Sequence, residues 1–176
     1  MPLTENTNRK IIDDFVEQLK ISYEAKAYYL TLMGTVSLID ICAALNEPSG
    51  ETDRNVFKKW YETYLPSHCN DRDEPLGFSA DDCYKFRCKL LHQGRAEGEN
   101  KKMVFYVGDG HIHRCASNDF YYLDIERFMN DVISAACEWL DENQGVPHID
   151  ENFSKMIKIN DRDPGGFVGG RGPFIS

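Results

Sequence analysis

The 176-residue chain is long enough for one domain with a substantial core, since 41% of its residues are hydrophobic and 28% are charged. Its formal net charge of −9 argues against broad, charge-driven binding to nucleic acid, which needs a basic surface. No uninterrupted apolar run approaches the ~18 residues of a membrane span, and the polar N-terminus lacks the apolar core of a signal peptide. We therefore expect a cytoplasmic protein without membrane contact.

The six cysteines could in principle form disulfides, but their positions favour reduced thiols. Cys42, Cys88 and Cys137 lie inside apolar helical patterns, where free cysteine behaves as a small core residue. Without a signal peptide, reduced cysteines are the simpler expectation.

Helical spacing of apolar residues begins the chain, in IIDDFVEQLK and ISYEAKAYYLTLMGTVSLIDICAAL. This pattern predicts one long helix, or two helices that break near Ser22 or Gly34. Its second half, from Tyr28 to Leu45, is apolar nearly all round, which is typical of a helix buried between neighbours or in an oligomer interface. The turn-forming sequence NEPSG ends the pattern.

Two further helices follow. RNVFKKWYETYL is a helical pattern that Thr52 or Asp53 can cap. ADDCYKFRCKLLHQ follows Ser79, which forms a capping-box pattern with Asp82, and Gly94 provides a C-terminal cap.

The pattern changes at Met103. MVFYV and HIHRCA flank a Gly-Asp-Gly turn signal and predict a β-hairpin. YYLDIERFMNDVISAACEWLDEN then predicts a long helix, capped by Asn118 or Asp119, and IDENFSKMIKI a short one. The fold class is therefore mainly α, an antiparallel helical bundle of about four or five helices with a hairpin inserted before the last long helix. Residues 1–160 form the helical domain, and residues 161–176 a Gly/Pro-rich tail.

Arg87 and His92 are the strongest candidates for chemistry, because they share one short helix with His92 in its last turn. The helix dipole favours a protonated histidine there, and the ordinary histidine pKa suits proton transfer near neutral pH. A fixed guanidinium can hold a phosphate and stabilise the charge that develops on it. The two residues lie about 140° apart around the helix, so a cleft lined by both is easier to build between two copies of the chain.

The segment RCKLLH, from Arg87 to His92, resembles the Arg-x4–6-His motif of the HEPN superfamily of helical domains. The phrase CYKFRCKLLHQG, after the buried helix YYLTLMGTVSLIDICAAL, is similar to an uncharacterised bacterial family of this type. The resemblance covers roughly residues 10 to 142 and leaves the C-terminal tail unexplained.

The resemblance implies a metal-independent endoribonuclease, or an RNA-binding protein, in a bacterial defence or toxin–antitoxin setting with an antitoxin-like protein partner. His92 would take the proton of a ribose 2′-hydroxyl or protonate the leaving oxygen, and Arg87 would hold the scissile phosphate. The product would carry a 2′,3′-cyclic phosphate, and no cofactor would be needed. It also implies that Asp40, a carboxylate within an apolar run, contacts Arg87, and that the protein is a homodimer.

The alternative is a non-catalytic helical interaction domain, favoured by the acidic net charge and by Cys88, where such motifs often have a polar residue. In that case Arg87 pairs with an acidic residue, His92 hydrogen-bonds a carbonyl, and Asp40 caps a helix or reaches water at the bundle edge.

A small basic patch surrounds the motif. It would position phosphates, or it is equally a solvated helix face. Its residues are Lys85, Lys89, Gln93 and Arg95.

A zinc site is a further hypothesis, raised by His111, His113 and Cys115 on one face of a strand. No CxxC or HxxxH partner accompanies them, so we expect no metal.

Overall fold

The computed structural model describes residues 6–68, 78–108, 113–160, 165 and 173–175. The helices in these residues are α1 (Asn6–Glu24), α2 (Tyr28–Asn46), α3 (Arg54–Tyr64), α4 (Ala80–Gln93), α5 (Ile125–Glu142) and α6 (Pro147–Ser154), with a 3₁₀ turn at Leu65–His68. The strands are β1 (Lys102–Tyr106), β2 (Cys115–Ser117), β3 (Phe120–Asp124), β4 (Ile159–Asn160) and β5 (Phe174–Ile175). The described residues are 63% helical, which confirms the prediction of a mainly helical chain.

The N-terminal pattern forms two helices, and the break lies at residues 25–27 rather than at Ser22 or Gly34. Lys26 adopts a positive φ of 58°, a left-handed conformation that ends the helix. Gly34 lies inside α2, where an added Cβ would be 3.2 Å from Leu19 Cδ2. The glycine therefore permits close packing of α1 on α2 and does not break the helix.

Helix α2 is the centre of the fold, because it packs against α1, α3, α4, α5 and α6. By length and composition alone it could cross a membrane, which corrects the expectation that no segment is apolar and long enough. Half of its apolar window (50%) is buried within the structure. The prediction of a helix buried between neighbours is thus confirmed for α2.

The predicted hairpin is wrong in its strand pairing. Strand β3 pairs with β1 in parallel and with β2 antiparallel, so β1 and β2 flank β3 and do not pair with each other. The tight turn lies between β2 and β3 at Asn118 and Asp119, and Asn118 adopts a positive φ of 46° that asparagine tolerates. Alternation of apolar residues predicts a strand but does not determine which strand it pairs with. The Gly-Asp-Gly segment falls partly outside the described residues.

The long helix α5 begins later than predicted. The predicted helix begins at Tyr121, but the residues up to Asp124 belong to β3 (Phe120–Asp124). The N-cap of α5 is Asp124 and not Asn118 or Asp119. The Asp124 side chain accepts a hydrogen bond of 2.9 Å from the Arg127 backbone N–H. The run of aromatic residues in YYLD suits a strand as well as a helix, and sheet pairing on both sides of β3 decides the outcome.

The predicted domain boundary at residue 160 is followed by a segment that lies almost entirely outside the described residues. Where the tail is described, β5 pairs antiparallel with β4. Most of the Gly/Pro-rich tail, including Phe167 and Val168, lies outside the described residues.

The buried carboxylate of Asp82 joins three parts of the fold. It accepts a 2.6 Å hydrogen bond from Ser79 Oγ within the predicted capping box, which the structure contains. It also accepts bonds from the Glu99 backbone N–H at 3.1 Å and from Tyr121 Oη at 2.9 Å. Burial, together with Asp82, raises the pKa of Tyr121 to about 12, so the hydroxyl donates to Asp82 at all ordinary pH values. The start of α4, the loop after α4 and β3 therefore meet at Asp82.

We predict that Asp82→Ala lowers the free energy of unfolding by about 3 kcal/mol, because buried donors lose a charged acceptor. The melting temperature should fall by roughly 10 °C. The neighbouring Asp81 is the matched control, since its carboxylate is 36% exposed and pairs with Arg54 and Lys58 at the surface. Asp81→Ala should cost less than about 1 kcal/mol. Equal losses for the two variants in urea titrations would contradict this account.

Candidate functional site

The sequence-predicted site lies on α4, whose two ends are fixed by their caps. Ser79 begins the helix, and Gly94 ends it with a φ of 64° that favours glycine. Arg87 lies in the second half of α4 and faces α2, where its Nη2 donates to Asp40 Oδ2. The two side chains are only 19% and 13% exposed. The structure thus brings together the Arg87 and Asp40 that the sequence suggested as partners.

The guanidinium of Arg87 has two further neighbours on its own helix. Its Nη1 lies 3.6 Å from Cys88 Sγ, and its Cζ lies 5.9 Å from the centre of the Tyr84 ring. Burial opposes the charge, but the contacts with Cys88 and Asp40 outweigh it and raise the pKa of Arg87 above its ordinary value. Burial and the Cys88 thiol also raise the pKa of Tyr84. Arg87 is therefore a cation at neutral pH, and these contacts hold it in place.

The pair between Arg87 and Asp40 leaves two polar atoms unused. Arg87 Nε and Asp40 Oδ1 are buried and have no hydrogen-bond partner among the described residues. A salt bridge with one hydrogen bond holds the guanidinium less firmly than a bidentate pair would. The interaction therefore fixes Arg87 in place while leaving part of its donor capacity unmet.

His92 has a different environment. It lies in the last turn of α4 and is exposed, and its side chain makes no hydrogen bond or ion pair with the described parts of the chain. The expected alternative of a histidine bound to a carbonyl is not found there. Because five residues separate His92 from Arg87, it points about 140° away from the arginine around the helix. One copy of the chain does not direct both side chains into one cleft.

The basic residues around the motif are largely neutralised. Lys85 pairs with Glu99, and Lys89 Nζ lies 2.5 Å from Glu97 Oε2. Sequence reasoning missed these carboxylates, although the mixed charges of RAEGENKK directly after the helix were an available signal. The remaining patch residues, Gln93 and Arg95, are exposed at the end of α4.

Two of the cavities that described residues line adjoin the helices, and the lining of these two includes neither Arg87 nor His92. A polar cavity of about 390 Å³ lies between Lys89, the loop after α4 and the turn before Phe120. An apolar groove of about 470 Å³ lies between α1, α2 and the β4–β5 pair. The polar cavity is the one that adjoins the predicted site, through Lys89.

Two of the three residues of the zinc hypothesis, His113 and Cys115, contact other groups of the protein. His113 is buried, with Nε2 at 3.2 Å from Asp131 Oδ2 and Nδ1 accepting from the Asp124 backbone N–H. Both ring nitrogens are therefore engaged within the protein. The Cys115 thiol lies 3.3 Å from the carbonyl oxygen of His113, and His111 lies outside the described residues. Among the described residues, no group of three or more His, Cys, Asp or Glu side chains is arranged to hold a metal ion.

Comparison of the chain with protein-family models, curated proteins and solved structures finds no match. The resemblance to HEPN domains therefore rests on the sequence motif alone. The structure adds the contact of Arg87 with Asp40, the exposure of His92 and the neutralised lysines.

We predict that Arg87→Met lowers the free energy of unfolding by about 3 kcal/mol, because it leaves the Asp40 carboxylate buried without its cation. The double variant Asp40→Leu/Arg87→Met should be more stable than Arg87→Met, since it removes both charges together. Urea unfolding of the wild type, the two single variants and the double variant gives the free energies of a double-mutant cycle. Additive losses in the double variant would show that the two side chains do not depend on each other.

Proposed function

We propose that the chain is an HEPN-like antiparallel helical bundle that cleaves RNA without a metal ion, using Arg87 and His92. The observation that carries the proposal is the contrast between these two residues on α4. Arg87 is paired with Asp40, whereas the side chain of His92 is exposed and makes no hydrogen bond or ion pair with a described residue. A structural histidine is expected to be bonded within the fold, and a histidine that transfers protons must be accessible.

In the proposed reaction, His92 accepts the proton of a ribose 2′-hydroxyl, and the 2′-oxygen attacks the adjacent phosphorus. The bond from phosphorus to the 5′-oxygen breaks, and His92 passes the proton that it has accepted to this leaving oxygen. The products are a 2′,3′-cyclic phosphate and a 5′-hydroxyl. Arg87 stabilises the negative charge that builds up on the phosphate oxygens in the transition state.

We propose further that the active form is a homodimer, because the geometry of one chain separates the two residues. Arg87 and His92 diverge by about 140° around α4. A two-fold symmetric pairing of the α4 ends would place His92 of one copy near Arg87 of the other. Sedimentation velocity at micromolar concentration should find two chains per particle. A monomer that nevertheless cleaves RNA would contradict the paired site.

The decisive experiment is cleavage of single-stranded RNA by the purified protein, with EDTA present throughout. We expect the wild type to cleave and to leave cyclic-phosphate ends, and His92→Ala to lose at least about a hundredfold in rate, as expected for loss of a general acid or base. His148→Ala is the matched control, since His148 contacts the Asn46 carbonyl at 3.1 Å and lies on α6. This control should retain full activity. Cleavage by His92→Ala at the rate of the wild type would contradict the proposal.

A second candidate is a non-catalytic interaction domain, for example one that binds an antitoxin-like protein in a bacterial defence setting. The pairing of Lys85 with Glu99 and of Lys89 with Glu97 favours it, because both lysines are neutralised in the free protein. If folded wild type and His92→Ala are equally inert toward RNA, this candidate becomes the better account.

A further inference from the structure

One face of α4 carries a row of basic residues. Lys85, Lys89 and His92 follow one another at intervals of four and three residues, so their side chains lie on the same side of the helix. Arg87 lies on the opposite side, toward α2. The row continues from the exposed histidine of the proposed site along the helix surface.

Two carboxylates cover this row. Glu99 pairs with Lys85, and Glu97 pairs with Lys89, with each of the four side chains 33–40% exposed. The hydrogen bond and charge of Lys89 also lower the pKa of Glu97, so the Glu97 carboxylate remains ionised at neutral pH. The basic character of the row is therefore cancelled within the same chain.

The fold itself places these carboxylates. Glu97 forms a β-bridge with Lys102 at the start of β1, and the Glu99 backbone N–H donates to Asp82 Oδ1 at 3.1 Å. The Gly98 N–H bonds the Lys101 carbonyl at 2.8 Å between them. The loop after α4 is thus anchored on both sides, and these backbone contacts hold the two glutamates next to the lysines.

A polar cavity of about 390 Å³ adjoins the covered row. The lysines Lys89, Lys101 and Lys102 line the cavity, and Phe120, which also lines it, is 38% exposed. The acidic residues in the lining are Glu97, Glu99 and Asp119. Ammonium groups beside an exposed aromatic ring are the combination that binds single-stranded nucleic acid, through phosphate contacts and base stacking.

We infer that the Lys85–Lys89 row and the adjoining cavity are a self-masked binding site for the backbone of single-stranded RNA, in which Glu97 and Glu99 occupy the positions of phosphates. The inference rests on the proposed function for the identity of its ligand. A carboxylate and a phosphate accept the same hydrogen bonds from an ammonium group, and exposed ion pairs are weak enough to be exchanged. RNA that reaches His92 therefore competes with the two glutamates for the lysines.

The test is RNA binding by His92→Ala protein, so that the RNA stays intact, measured by anisotropy of a short fluorescein-labelled single strand. Adding Glu97→Gln and Glu99→Gln should tighten binding by about tenfold. The slope of log K against log salt should steepen by about 1.4, because each freed lysine releases counterions worth about 0.7 on a single strand. A further change, Lys89→Ala, should remove about half of the gain and return the slope by about 0.7, because Lys85 remains freed.

Removing two negative charges could tighten RNA binding anywhere on the surface, so a control with the same charge change is needed. Glu142→Gln with Glu151→Gln removes two exposed carboxylates from α5 and α6, one of which pairs with Lys155. We expect this control to gain less than about twofold. An equal gain in the control, or no gain in the Glu97/Glu99 variant, overturns the inference.

The outcome for this site is separable from the outcome for catalysis. Cleavage that depends on His92, together with no specific gain at Glu97 and Glu99, overturns the masked site alone. A specific gain in binding by a protein that never cleaves RNA supports the masked site and overturns the catalytic proposal.

Discussion

The hydrogen bonds of Asp82 are the constraint on which the candidate site depends. One carboxylate holds Ser79 at the start of α4, the Glu99 backbone N–H in the loop after α4, and the Tyr121 hydroxyl on β3. A buried charge is tolerated only where its hydrogen bonds are satisfied, and these donors satisfy it. Because the same carboxylate fixes the loop that carries Glu97, it also determines which acidic side chains cover α4.

Much of the fold follows from local sequence signals. The caps at Asp53, Ser79 and Gly94 and the centrally buried α2 are all predictable, because each depends on neighbouring residues or on periodicity. Strand pairing is not predictable in this way, because the parallel contact of β1 with β3 joins segments that only the tertiary fold brings together. The burial of Arg114 is a similar case. It lies in a stretch predicted as a strand, yet it has a φ of 56° and donates to Tyr61 Oη at 2.8 Å.

The contact between Arg87 and Asp40 was predictable, whereas the charges around α4 were not. The Arg-x4–6-His spacing selects Arg87 and His92, and a lone carboxylate in an apolar run selects Asp40 as a partner. The pairing of Lys89 with Glu97 depends on how the loop turns back after Gly94, which spacing alone does not specify. The sequence therefore overstates the basic patch that the folded chain presents to solvent.

We propose, above all, that the exposed C-terminal end of α4 binds RNA. The most direct test is an amide chemical-shift titration of isotope-labelled protein with a 2′-O-methyl single-stranded RNA, which lacks the attacking hydroxyl and cannot be cleaved. The account predicts that the largest shifts fall at His92, at Lys89 and in the loop that carries Glu97. Shifts confined to the apolar groove between α1 and α2, or none at saturating RNA, would contradict it.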